Sequence, residues 1–411
     1  MKKSISVRDI KKAVKSDRAN ILRLMKQLVG IPTVNPPGIN YRKMVDLLGS
    51  EGKKLGLSVK KIKAPLRYTS QLPPEAKGER WNIILGWKTG SKKKLHFNGH
   101  FDVVPASGGF KADPFKLRVR GSKLIGRGAG DMKCSITACF AAVKALKDLG
   151  IKPAWDLEFS FCCDEETGGL CGTGMLVKEG FIKADAAVET DGSGGTKLTI
   201  AHRGIYELIV TVIGKSAHAA THTDGVNAFL KGIEIVKKLE AYRKKLERRV
   251  SGYSADRRIK RVATLMVGGR VSGGVKGNAV PDRFTFTVDR RILPEESLKK
   301  VRSELLSLIK LEAGRIGVKV KIEEEMLSPS AIKSDAPVAK VFTGAIKKVF
   351  GKPAFISMTG GRLDMEYLIN GAKIPTLAYG VSGKNFHGDE ESTDIRDIID
   401  TAAVYAEVMR T

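Results

Sequence analysis

The chain is poor in the residues that staple or anchor a fold. Its 411 residues include five cysteines, Cys134, Cys139, Cys162, Cys163 and Cys171, all in one short part of the sequence. Their number is odd and no CxxC pair occurs, so neither a disulfide framework nor a zinc ribbon is expected. Free buried thiols in a reducing cytoplasm are the expectation. No apolar run reaches the roughly eighteen residues of a membrane span. The N-terminus, Met1-Lys2-Lys3-Ser4-Ile5, lacks the apolar core of a signal peptide. Asp9 and Asp17 among its basic residues argue against a transit peptide. Internal repeats and low-complexity segments are also missing.

Acidic residues are in deficit. Against 72 lysines and arginines stand 44 aspartates and glutamates, a net charge of +28. Such a field favours anionic partners. The cations, however, are spread along helices, as in Lys237-Lys238, Arg243-Lys244-Lys245 and Lys299-Lys300. No aromatic-interleaved basic platform for stacking bases occurs. The reading is a solvated basic surface, with neither nucleic acid nor membrane as an expected partner.

What is present is a long α/β pattern. The length exceeds one ordinary core, so two domains are expected. Apolar spacing predicts helices over 9–29 and 41–54, then strands over 57–62, 82–87 and 94–98, with a loop over 67–80 between them. A short hairpin around Gly121, a helix over 132–149 and strands over 155–162 and 184–188 follow. Helices alternating with strands argue for an α/β sheet with its sites at strand ends. From about residue 204 the pattern changes to strand 206–213, helix 226–249, strands 263–267 and 283–291, helix 294–313 and strand 318–323. That β-α-β-β-α-β order is ferredoxin-like. Residues 203–326 are therefore read as a second domain inserted into a first domain made of 1–202 and 327–411. A helix over 336–350, a helix over 364–369, a strand over 376–379 and a last helix over 395–409 complete the first domain.

Chemistry-bearing side chains gather at the strand ends. Gly99-His100-Phe101-Asp102 closes one strand, and His100 and Asp102, two apart, point the same way. One can ligate a metal while the other orients it. Gly126-Arg127-Gly128-Ala129-Gly130-Asp131-Met132-Lys133 opens a helix, with Asp131 where a carboxylate could bridge two ions. Asp164-Glu165-Glu166-Thr167-Gly168-Gly169 and Glu189-Thr190-Asp191-Gly192 end two further strands. Adjacent acids there suit one ligand and one proton carrier. Of six histidines, His96 lies inside a strand and reads as structural, whereas His100 and His387 sit in glycine-flanked turns beside acids. Imidazole and carboxylate without cysteine suit zinc, cobalt or manganese. Two ions sharing a bridge, about 3.5–4 Å apart, would activate water and polarise a carbonyl for amide hydrolysis.

These ordered motifs, with Ile31-Pro32-Thr33-Val34-Asn35-Pro36-Pro37-Gly38 ahead of them, cover nearly the whole chain. They resemble the metallopeptidase family of acetylornithine deacetylase, succinyl-diaminopimelate desuccinylase, aminoacylase and glutamate carboxypeptidase. The resemblance implies a zinc-exopeptidase-like catalytic domain with an inserted ferredoxin-like lid and dimerisation domain. It implies two divalent ions, with His100 and Asp191 on one, Glu166 and His387 on the other, and Asp131 bridging. Asp102 would orient His100, and Glu165 would be general base and then acid. His218, in Gly214-Lys215-Ser216-Ala217-His218, resembles the lid histidine that reaches a neighbouring subunit's site and steadies the oxyanion. Asn278 and Arg291 look like the substrate-binding pair, Arg291 gripping a carboxylate. Gly360 and Gly361 would line the same pocket.

Three positions depart from the family pattern. The usual ligand turn is Glu-Pro-Thr; here Asp191 aligns best, with Glu189 as its rival. The proline that follows the lid histidine is replaced near His222. Cys134 stands where the family often has glycine, close enough to line the site. The function expected is a dinuclear, metal-dependent amidohydrolase that removes the acyl group of an N-acyl amino acid, acting as a homodimer in the cytoplasm. A metallo-carboxypeptidase or dipeptidase of the same family is the alternative. An idle, basic nucleic-acid or anion binder is the distant one.

Overall fold

The structure is a computed structural model and describes residues 5–76, 78–256 and 259–411. Residues 1–4, read as part of an N-terminus without a leader, and Lys77, in the 67–80 loop, lie outside the described residues. By its internal contacts the chain divides into two units, Met1–Ile200, Ile332–Ile356 and Leu363–Thr411 in the first, Ala201–Ala331 and Ser357–Arg362 in the second.

The first unit is built on a mixed sheet. Its strands lie in the order Ser58–Lys63, Trp81–Trp87, Asp156–Cys162, Lys94–His100, Ala186–Glu189, Thr376–Ala378 and Lys197–His202. The three in the middle, ending at Cys162, His100 and Glu189, are adjacent and parallel. Their carboxyl ends therefore open at one edge, where α/β sheets place their sites. Alternation along Lys94–His100 sends Phe97 to one face, stacked on Phe159 at 5.1 Å and edge-on to Tyr405 at 5.3 Å. The core helices Lys133–Asp148 and Ile395–Arg410 are buried on nearly every side.

A small antiparallel sheet, in the order Gly383–Lys384, Ser392–Asp394, Lys123–Ile125 and Arg118–Arg120, matters more than its size suggests. Lys123–Ile125 runs straight into the Asp131 loop, and Ser392–Asp394 leaves the His387 turn. Pairing of Ile125 with Ser392 brings these two distant stretches of sequence together.

The second unit has the ferredoxin-like order. Strand Gly204–Ile213, helix Ala228–Leu246, strands Thr264–Gly273 and Arg283–Ile292, helix Leu298–Arg315 and strand Lys319–Leu327 follow one another. All four strands pair antiparallel. Tyr206, Leu208, Val210 and Val212 alternate inward with Ile235, Leu239, Leu305 and Ile309 from the helices. The overall class is thus α/β with an inserted ferredoxin-like layer.

Some elements differ from the sequence reading. The 9–29 helix is two helices, Val7–Ser16 and Arg18–Val29, broken at Asp17. The loop over 67–80 holds a short helix, Leu66–Thr69, and a turn, Pro74–Ala76. Strand Lys197–His202 was not expected. The 364–369 helix is present from Met365 and widens into a π-helical turn, Tyr367–Gly371. Segment 357–362, counted from sequence in the first domain, clusters with the second unit.

Candidate metal centre

His100 ends its strand with both ring nitrogens directed. Nδ1 lies 3.1 Å from the Asp102 carbonyl and 3.5 Å from Asp102 Oδ1. Nε2 lies 3.2 Å from Asp131 Oδ1. Asp102 is fully buried and ties the site together. Its oxygens accept from Asn35 Nδ2 at 2.9 Å and from the backbone N–H groups of Glu165 and Glu166, both at 3.3 Å. Asp102 thus meets the histidine through its backbone carbonyl and aims the acidic pair through its carboxylate.

The Asp131 loop is wound around the Glu391 carboxylate. Glu391 Oε1 accepts from the Gly130 and Asp131 N–H groups at 2.8 Å each. Its Oε2 accepts from Gly128 N–H at 3.1 Å and Arg127 Nη1 at 2.6 Å. Arg127 Nη2 also donates to the His387 carbonyl at 3.1 Å. The loop and the His387 turn are therefore one assembly. Asn385, His387 and Glu390 all have left-handed backbones, unusual without glycine. Such strain persists where the surroundings over-determine it, commonly at functional sites.

This assembly places His387 Nε2 at 3.2 Å from Asp131 Oδ2 and 3.1 Å from Glu166 Oε2. Asp131 therefore faces one imidazole with each oxygen. Ligand atoms of His100, Asp131 and Glu166 all lie within 4.8 Å of one another. Behind Glu165, Asp164 holds a left-handed backbone and pairs with buried Arg80 Nε at 2.5 Å. Burial first, then the Asp102 charge, raises Asp164 to about 7.

Electrostatically the centre is short of positive charge. Asp191 is raised by burial and then by Asp131, with the Glu166 charge adding to it. Burial lowers the His100 pKa, but Asp102 and Asp131 outweigh it and hold the imidazole well above its ordinary value. Asp131 and Glu166 push His387 up to about 10. Asp131 is lowered by the two imidazoles, against its burial.

Divalent ions fit this set. His100 Nε2 and Asp131 Oδ1 are both buried and, among the described residues, have no hydrogen-bond partner although they face each other. An orphaned buried donor or acceptor needs an explanation, and coordination to a metal ion is one. The donors are nitrogen and oxygen only. Cys134, although close in sequence, is fully buried against the Gly130 carbonyl at 3.2 Å. Burial pushes its thiol far up. The other four cysteines are also free and buried.

Glu189 is nearly inaccessible, and both its oxygens are taken, Oε2 by Asn98 Nδ2 at 2.7 Å and Oε1 by Asp191 N–H at 3.3 Å. Six residues singled out from sequence belong to the second unit. His218 is exposed, and its Nδ1 accepts from Ala220 N–H at 3.1 Å. Its backbone bridges to Ala279, beside exposed Asn278. His222 lies in the turn Ala219–Asp224, kinked at Thr221. Arg291 is held bidentately by Asp289 at 2.8 and 2.7 Å. Gly360 packs on Ile259, and Gly361 faces open space.

Sequence reasoning missed Glu391, Arg80 and Asn98, and gave Asn35 no role. Glu391 had a signal: Arg127, inside a glycine loop, needs a counter-ion. The others act through contacts made only in three dimensions.

The profile of Peptidase family M20/M25/M40 matches residues 96–411. The chain belongs to this family. Among its relatives is a succinyl-diaminopimelate desuccinylase of Roseobacter denitrificans, 24% identical over 339 residues, 80% of this chain and 86% of the relative. Aminoacylase-1A of Rattus norvegicus is 29% identical over 343 residues, 79% of this chain and 78% of that protein. The M20 metallo-carboxypeptidase Sso-CP2 of Sulfolobus solfataricus shares the fold, with a TM-score of 0.77 at 18% identity, covering 95% of this chain and 98% of that one. As an M20 member, the protein is a metal-dependent amide hydrolase of the deacylase or peptidase kind. Among the described residues no helix is long and apolar enough to cross a membrane.

Proposed function

We propose that the protein is a two-metal amidohydrolase that removes the acyl group of an N-acyl amino acid, as acetylornithine deacetylase and succinyl-diaminopimelate desuccinylase do. The observation that carries this is Asp131, with one oxygen 3.2 Å from each of His100 and His387. His100 and Asp191 would hold one ion, Glu166 and His387 the other, with Asp131 shared. Asp191 is preferred to Glu189 because both Glu189 oxygens already accept hydrogen bonds. Two divalent ions, zinc first and cobalt or manganese as alternatives, would supply Lewis acidity to a carbonyl and a lowered pKa to a water.

The protein's own groups do the rest. Asp102 fixes the ring orientation of His100. Glu165 takes the proton of the attacking water and passes it to the leaving amine. In this reading His218 steadies the oxyanion, Asn278 and Arg291 bind the substrate carboxylate, and Gly360 and Gly361 line its pocket. The net positive charge favours an anionic substrate.

The test is amine release from acetylornithine, N-succinyl-diaminopimelate, other N-acyl amino acids and dipeptides ending in glutamate. Turnover of N-acyl amino acids, lost with chelator and cut about 100- to 10,000-fold by Glu165→Ala, supports the reading. Turnover of dipeptides alone makes the protein a carboxypeptidase or dipeptidase instead.

The partner proposed is a second copy of the chain, and the compartment proposed is the cytoplasm. Thr264–Gly273 is an edge strand of the second unit, and it exposes Met266 and Val271. Exposed apolar edges are sites of pairing. Light scattering is expected to give twice the chain mass; a fully active monomer contradicts the dimer.

A further inference from the structure

We propose that Asn98 is a positioning residue that sets the separation of His100 and Asp191, and so the affinity of the metal position those two form. The inference rests on the two-metal reading above and is independent of the substrate.

Three parallel strands set Asn98 opposite both Ser160 and Glu189, and His96 opposite Glu158. Alternation puts His96, Asn98 and His100 on one face of one strand. In a buried parallel sheet such a face is normally apolar. Here it carries a continuous polar row. Glu158 Oε1 lies 3.1 Å from His96 Nδ1, and His96 Nε2 lies 2.8 Å from Ser160 Oγ. Ser160 Oγ donates to Asn98 Oδ1 at 2.6 Å. Asn98 Nδ2 donates to Glu189 Oε2 at 2.7 Å, and Glu189 Oε1 accepts from the Asp191 N–H at 3.3 Å. The Asn98 carbonyl also accepts from Thr190, from its N–H and its Oγ, both at 2.7 Å. Glu189 is thereby tied to the Asn98 side chain, Thr190 to its carbonyl, and Asp191 to it through Glu189, two residues from His100.

The row is costly. His96, Asn98, Ser160 and Glu189 are each at most 1% exposed. Buried polar groups lower stability unless fully paired, and a sheet interior needs only apolar side chains. What an apolar row could not do is hold Glu189 and the Asp191 peptide in register with His100. Only a side chain with both donor and acceptor spans Ser160 and Glu189, so Asp and Leu fail in different ways.

The test is stepwise titration of metal-free protein with zinc by calorimetry, together with the absorption spectrum of the cobalt form. In Asn98→Leu one of two binding steps is expected to weaken about 10- to 100-fold, the usual scale for outer-shell partners, with a changed cobalt spectrum. Ser160→Ala is expected to weaken the same step by a smaller factor. Unchanged steps in both variants, or equal weakening of both steps, would overturn the inference and leave the two-metal reading standing. If Asn98→Leu does not fold, Ser160→Ala decides by the same criterion. Wild-type protein that binds no zinc overturns the metal reading and this inference together.

Discussion

Asp131 faces His100 with one oxygen and His387 with the other, and Glu166 lies against His387. The groups that hold these residues in place are hard to see in the sequence. Glu391 and Arg127 meet from 264 positions apart in the sequence, and only Arg127's need for a counter-ion points to the pair. Arg80 likewise looks like one more basic residue of a loop until its side chain is seen paired with Asp164. His202 is another residue whose chemistry only folding reveals. It is fully buried, donating Nδ1–H to the Arg203 carbonyl at 2.9 Å, and burial lowers its pKa to about 4. The unfolded chain takes up this proton near pH 6.5, the folded chain only near 4. Between those values the unfolded state binds more protons, so stability falls as pH falls. The contribution, about 3 kcal/mol, is present above pH 6.5 and lost on the way to 4. Denaturant unfolding of metal-free protein from pH 7.5 to 4.5 should show a smaller loss in His202→Gln than in wild type; equal losses contradict the assignment.

At the scale of elements, periodicity located most helices and strands, and its failures have physical causes. The first helix breaks at Asp17, whose non-helical backbone separates two segments with one continuous apolar stripe. Lys197–His202 follows directly on a glycine-rich turn, which hides its start. The pairing of Ile125 with Ser392, which delivers His387 to Asp131, joins two segments of three residues each, too short to carry a periodic signal. Element packing at the site is also tight. A Cβ on Gly99 would lie 2.4 Å from Thr190 Oγ1 and 2.7 Å from Met132 Cε. The last turn of the His100 strand and the Asp191 turn would have to part. Gly99→Ala is expected to destabilise by about 1–3 kcal/mol and to slow turnover as well. An unchanged unfolding midpoint and rate would show that the two elements yield more easily than their spacing implies.

For the whole molecule, the α/β class and the inserted ferredoxin-like layer were readable because the β-α-β-β-α-β order interrupts a pattern that later resumes. The basic surface is a property of the entire chain and bears on solubility and on-rate, not on fold. The central claim concerns one point in the molecule: Asp131 shared between two ions. Anomalous scattering from crystals grown with zinc tests it most directly. Two peaks are expected, about 3.5–4 Å apart, on either side of the Asp131 carboxylate, one toward His100 and Asp191, the other toward Glu166 and His387. A single peak, or peaks away from Asp131, would contradict the account.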